Sequence, residues 1–250
     1  MTPPVVLSIA ASDSGGGAGL AADLATFAEL GVHGACVVTA VTAQDTRAVR
    51  RIHPIPVDMV VAQLDAVLED FPVAVVKTGM LAGADVVRVV AERCRHLRIV
   101  VDPVLRATSG AVLADEAVIA AYREHLLPAA YVSTPNAAEA QVLGPFATAH
   151  VVTGSETGED ALHAGDSVPL PHDRIDTWND HGTGCTFSAA VAGYTALGME
   201  LVEAVRLAGT FSASHLRTSQ DWALGRGRGP IAHTIIRPRI HAAPTSGGTR

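Results

Sequence analysis

Apolar residues along the chain fall in short β-branched runs, separated by longer stretches with helical spacing. Val5–Ala10, Ala35–Val41, Val73–Val76, Arg98–Val101 and Tyr131–Ser133 lack the alternation of a strand with one wet face. They read as buried strands, apolar on both sides as parallel strands are. Between them, Gly19–Leu30, Val57–Glu69, Ala84–Arg95 and Ala114–His125 carry helical periodicity. Strand–helix alternation predicts right-handed crossovers, and with them an α/β fold of three layers: a mostly parallel central sheet with helices on both faces. Binding residues are then expected in loops at the carboxyl ends of the strands. Farther along, Val151–Val152 and the polar stretch Thr157–Leu170 read as irregular strands, a hairpin at the sheet edge. Cys185–Leu197 and Leu201–Arg217 read as two closing helices. The tail from His241 to Arg250 is rich in Gly, Thr, Ser and Pro and reads as disordered. No repeat or linker divides the chain, so residues 1–240 are expected to form one domain.

Composition narrows the chemistry. With 48% hydrophobic and 4% aromatic residues in 250, the chain can build a large core from small aliphatic side chains. A net charge of −7 argues against a nucleic-acid-binding surface, which needs basic patches. Lys77 is the only lysine, so phosphate chemistry here must use Arg, backbone N–H groups and metal rather than a P-loop lysine. Cys36, Cys94 and Cys185 are odd in number and widely spaced, which fits free thiols in a reducing compartment. Met1-Thr2-Pro3-Pro4 lacks the basic start of a signal peptide, and Val5–Ala11 is too short to span a membrane. A cytoplasmic protein without membrane partners is the expectation.

Asp180-His181-Gly182-Thr183-Gly184-Cys185-Thr186 sets a cysteine on a glycine-rich turn at the start of a helix. The first amides of such a helix have no intrahelical acceptors and can face an anion, and the helix dipole is expected to lower the thiol pKa from ~8.5. The plain structural reading is a glycine-started helix with a buried Cys. The earlier loop Ser12-Asp13-Ser14-Gly15-Gly16-Gly17-Ala18-Gly19 fails the dinucleotide-binding spacing because Leu20 stands where Gly or Ala is required, and it lacks the Lys of a Walker A loop. It remains a turn that lets a ligand lie against backbone, with Asp23 one turn into the helix. Other polar groups fall at strand ends: Gln44, Lys77 before Gly79-Met80, Asp102 before Pro103-Val104, and Asn136 with Glu139. Gln44 can read an amide-like or aminopyrimidine edge, offering a donor and an acceptor together, and Asp102 and Glu139 are candidate Mg²⁺ carboxylates. Equally, Asn136 and Glu139 can form a capping box, and Lys77 can pair with a buried carboxylate.

These loops, in this order, resemble the hydroxymethylpyrimidine/phosphomethylpyrimidine kinases of the ribokinase-like superfamily. The likeness runs through most of the chain: Ser12–Gly19 with Asp23, Val41-Thr42-Ala43-Gln44-Asp45-Thr46, Lys77-Thr78-Gly79-Met80-Leu81, Asp102-Pro103-Val104 with Ser109-Gly110, Thr134-Pro135-Asn136 with Glu139, the segment His181–Thr186, and Gly225–Pro230. The resemblance implies ATP- and Mg²⁺-dependent phosphorylation of 4-amino-5-hydroxymethyl-2-methylpyrimidine phosphate in thiamine biosynthesis, and also of the unphosphorylated alcohol. It implies Cys185 as general base, with Gly182, Thr183 and Gly184 as anion hole. Asp23, Gln44, Met80 and Val104 would line the pyrimidine pocket, with Asn136, Glu139 and Thr153 on the nucleotide side and Asp102 with Glu139 at the metal. A homodimer is also implied. Two departures stand out. The chain passes quickly through Gly144-Pro145-Phe146, and Thr153 in Val151-Val152-Thr153-Gly154-Ser155 stands where relatives carry a lysine. Arg106 is the candidate to replace that charge. The departures keep two alternatives open: a pyridoxal-type kinase of the same superfamily, and a pyrimidine-binding protein with weakened catalysis.

Overall fold

In the computed structural model, residues 2–154, 159–171 and 175–234 are described. The strands are β1 (Val5–Ala10), β2 (His33–Val38), β3 (Ala40–Gln44), β4 (Val49–Pro54), β5 (Val73–Thr78), β6 (Arg98–Val101), β7 (Val132–Ser133), β8 (His150–Val152), β9 (Glu159–Ala164) and β10 (Asp166–Pro171). The helices are α1 (Gly19–Leu30), α2 (Val57–Asp70), α3 (Ala84–Cys94), α4 (Glu116–Ala121), α5 (Leu127–Ala129), α6 (Ala137–Leu143), α7 (Thr183–Ala196) and α8 (Leu201–Ser219), with a π-helical turn Tyr122–Leu126 joining α4 to α5. Eight strands form one sheet in the order β10-β9-β8-β7-β6-β5-β1-β2. It is parallel from β2 to β8, and β9 and β10 add antiparallel at the edge. The edge hairpin is thus present, while residues 155–158 and the tail from 241 onward lie outside the described residues.

Alternate residues of the buried strands feed two cores. Leu7, Ile9, Val76, Ile99 and Val101 pack against α2, α3, α4 and the π-helical turn through Val60, Leu64, Val87, Val90, Val118 and Tyr122. Val6, Val75, Val100, Val132 and Val151 face α1, α7 and α8 through Phe27, Ala189–Ala192, Val205 and Ala208. Each fully buried Val or Leu contributes roughly 1.5–3 kcal/mol relative to exposure, so both sheet faces demand a helical cover. Helix α7 is apolar nearly all round because it lies between the sheet, α1 and α8.

One predicted element is corrected. The run Ala35–Val41 is two strands, because the chain leaves the sheet at Thr39, whose N–H donates to Ala10 O (3.0 Å) and whose hydroxyl donates to Met80 O (2.6 Å). Strand β3 then pairs antiparallel with β4 as a separate two-stranded ribbon. Its turn is fixed by Asp45, whose Oδ1 accepts from the amides of Arg47 (2.9 Å) and Ala48 (3.0 Å). The ribbon carries Gln44 to the open end of the parallel strands.

Candidate active site

Two glycine-rich turns interlock at the carboxyl end of the sheet. Gly182 sits in the left-handed region (φ 90°), and a Cβ there would lie 1.7 Å from Gly17 O. A Cβ on Gly17 would lie 2.6 Å from the His181 ring. Asp13 organises the first turn: its Oδ1 accepts from Gly15 N (2.8 Å), and its Oδ2 from Ala18 N (2.9 Å) and Gly17 N (3.2 Å). Across the gap, His181 Nε2 lies 2.8 Å from Asp13 Oδ2 and 3.3 Å from Gln44 Nε2, and its Nδ1 is 3.2 Å from Thr108 Oγ1. These donors hold the Asp13 carboxyl below the usual range even though burial opposes them. An acceptor-only carboxylate requires the Nε2–H tautomer of His181, so the Gln44 carbonyl oxygen is better placed toward the ring and its NH₂ toward the cleft.

At the start of α7, the amide and hydroxyl of Thr183 both turn back to Asp180 O, at 3.1 and 2.7 Å. Among the described residues, the amides of Gly182, Gly184 and Cys185 have no acceptor, so the unpaired donors of this turn are these three, and the Thr183 N–H is not among them. The thiol is corrected too. Burial pushes Cys185 up to about 12; Lys77 and the Gly19 amide pull the other way, but Asp102 and Asp23 add to the rise. The helix N-terminus does not win here. Thiolate is scarce at neutral pH, and the thiol donates to the Asp102 carboxylate.

Beneath the turns lies a buried charge cluster. Lys77 Nζ contacts Asp23 at 2.8 and 3.0 Å and Asp102 at 3.8 Å, with no side-chain exposure for Lys77 or Asp23. Ser8 donates to Asp23 (2.5 Å) and Ser188 to Asp102 (2.9 Å). Burial alone would favour neutral Lys77, but the two carboxylates override it and hold the ammonium charged. Lys77 therefore pairs with buried carboxylates, as the plain reading has it, and Asp23 faces Lys77 and Ser8 inside the fold.

At the start of α6, Asn136 and Glu139 form a capping box, with Glu139 N donating to Asn136 Oδ1 (2.9 Å) and Asn136 N to Glu139 Oε2 (3.0 Å). Glu139 Oε1 also accepts from Leu105 N (3.1 Å). Burial, followed by the neighbouring Asp102 charge, pushes Glu139 up to about 7. Asp102 is raised as well, by burial first and with the Asp23 charge adding to it; carboxylate oxygens are the ligand type a hard cation takes, and each Glu139 oxygen keeps a free lone pair. Thr153 bridges to Asn136, and its N–H donates to Pro135 O (2.9 Å). Met80 and Val104 are partly exposed. Arg106 is exposed and donates to Gly110 O within its own loop (3.5 Å); among the described residues its guanidinium forms no hydrogen bond or ion pair with Thr153 or Glu139. Sequence reasoning quoted Asp13 and His181 without giving them a role. An aspartate inside a glycine-rich turn was the available signal, since its carboxylate can collect successive amides.

A family model described as phosphomethylpyrimidine kinase matches residues 13–163 and 146–232. A hydroxymethylpyrimidine/phosphomethylpyrimidine kinase of Rhizobium meliloti is 43% identical over 256 residues, covering 92% of this chain and 96% of the relative. One from Synechococcus elongatus is 44% identical over 260 residues, covering 93% and 98%. Among solved structures, a pyridoxal kinase from Staphylococcus aureus is similar at 30% identity, covering 93% of this chain and 94% of that one. Its TM-score is 0.83 in complex with pyridoxal and 0.84 in complex with ADP.

Proposed function

The chain belongs to the phosphomethylpyrimidine kinase family, and on that premise we propose how its residues divide the work. It is a phosphotransferase of thiamine biosynthesis that uses ATP to phosphorylate hydroxymethylpyrimidine and its monophosphate. The observation that supports the residue assignment is the interlocked pair of glycine turns, which leaves three amides free beside Cys185.

Gly182, Gly184 and Cys185 N–H would stabilise charge on the transferring phosphoryl oxygens. Such preorganised donors do most for a loose phosphoryl transfer, in which the nucleophile loses its proton late. Cys185 would then take the hydroxyl proton at sulfur as its own proton passes to Asp102, so the high thiol pKa does not forbid the step. Gln44, oriented by His181, would read the ring, with Met80 and Val104 lining the same pocket. Asn136 and Thr153 would border the nucleotide. Asp102 and Glu139 would hold Mg²⁺, which when bound offsets phosphate charge. Homodimerisation and a cytoplasmic location complete the proposal. Among the described residues, no helix is long and apolar enough to cross a membrane.

The likeness to a pyridoxal kinase supports a second reading, in which pyridoxal is also a substrate. Purified protein given ATP and Mg²⁺ with the pyrimidine alcohol, its monophosphate, or pyridoxal separates the readings by ADP release. Turnover on either pyrimidine supports the first. Turnover on pyridoxal alone overturns it, and binding of the pyrimidine without turnover points to a binding protein.

A further inference from the structure

The stretch Gly229–His233 runs parallel to Trp178–His181. Gly229 N donates to Trp178 O, His181 N to Gly229 O, and Ile231 N to His181 O, each at 3.0 Å. That lacing carries His233 over the first turn of α7, where its Nε2 lies 2.9 Å from Thr186 Oγ1. Thr186 is fully buried, and its one hydroxyl proton goes to Gly182 O at 2.8 Å. His233 Nε2 is therefore the donor to Thr186. The other tautomer would strip Gly182 of this bond and leave a buried Nδ1–H without an acceptor. The Nε2–H form leaves Nδ1 only a bare lone pair, the milder deficit, and Nδ1 is indeed buried without a partner. Burial, with His215 and His181 nearby, keeps the ring neutral by lowering its pKa to about 4.

The peptide joining Gly182 to Thr183 is thus pinned at both ends, its N–H to Asp180 O and its carbonyl to Thr186. Gly182 has no side chain of its own to fix that plane. We propose that His233 is a positioning residue for phosphoryl transfer. Through the Thr186 hydroxyl it clamps the Gly182 carbonyl and so keeps the amides of Gly182, Gly184 and Cys185 aimed at the transferring phosphate. The inference rests on the proposed function of that turn.

The test uses His233→Leu, which removes the donor, His233→Gln, which keeps one near the Nε2 position, and Thr186→Val, which breaks the relay. His233→Leu and Thr186→Val should each lower kcat roughly 10- to 100-fold, the scale of a misplaced catalytic frame. KM for the alcohol should stay within about threefold, because the defect lies in aim rather than in ring recognition. His233→Gln should stay within about fivefold of wild type, and the Leu/Val double variant should be no worse than either single, since the two act in series. Wild-type kcat in His233→Leu, equal impairment in Gln and Leu, or multiplicative losses in the double variant would each overturn the proposal. Calorimetry with AMP-PCP and ADP reads the turn without turnover. His233→Leu should lose the wild-type preference for the triphosphate analogue, and an unchanged preference overturns the proposal even if wild type phosphorylates neither pyrimidine.

Discussion

Replacing Glu139 by Gln should change how stability responds to pH, and the structure sets both sign and size. Glu139 is 7% exposed, and its carboxyl is pushed from an ordinary 4.5 to about 7. Between those values the folded protein holds a proton that the unfolded chain has released, so stability falls as pH rises through the window. The gap corresponds to about 3 kcal/mol at ~1.4 kcal/mol per pH unit, absent below the unfolded value and full above the folded one. Glutamine cannot titrate, so this slope disappears. It also offers one acceptor oxygen where Glu139 uses two, for Asn136 N and Leu105 N. One buried donor is then orphaned, at a pH-independent cost of about 1–3 kcal/mol. Glu139→Gln should therefore be less stable than wild type near pH 4.5 and should equal or exceed it near pH 8. In thermal terms the 3 kcal/mol swing is roughly 6–12 °C for a domain of this size. Urea unfolding of both proteins from pH 4.5 to 8 in EDTA measures it. Asp23 titrates in both proteins and cancels in the difference, whereas Asp102, whose charge raises Glu139, is coupled to it and its part of the slope belongs to the pair. Parallel pH curves for the two would refute the reasoning. Mg²⁺ should flatten the wild-type slope and leave the variant unchanged.

Three further outcomes follow from the same geometry. Lys77→Met leaves Asp23 and Asp102 buried without their cation and should cost about 3–5 kcal/mol by denaturant unfolding; a loss under ~1 kcal/mol would contradict the paired cluster. Gly182→Ala must displace Gly17 O from 1.7 Å and hold a left-handed φ, so a loss of at least ~2 kcal/mol together with lower kcat is expected, and wild-type stability would contradict the interlock. Iodoacetamide at pH 7.5 should label exposed Cys36 well before Cys185, whose thiol is pushed up to about 12; peptide mapping that finds Cys185 labelled first would contradict that shift.

The sheet and its helices were legible because their residues are apolar for a local reason. Strands such as Val5–Ala10, covered on both faces, cannot alternate, and the helices between them must keep a buried stripe. The β3–β4 ribbon was hidden because it is half exposed and ends in Arg50, Arg51 and His53, which look like loop. At the site, the free amides of the Cys185 turn could be foreseen from glycine spacing and helix polarity. The electrostatics could not, since the thiol is raised first by burial and then by Asp102, just after β6, and Asp23 in α1, both far away in sequence. The same holds for His233, whose link to Thr186 spans 47 residues, and for His181 with Asp13 across 168.

Product identity tests the central claim most directly. Wild-type protein would be incubated with ATP, Mg²⁺ and the hydroxymethylpyrimidine monophosphate, and ³¹P NMR followed. Two coupled resonances of a pyrimidine diphosphate ester should grow in step with ADP. Orthophosphate alone, or an unchanged monophosphate signal, would contradict the claim.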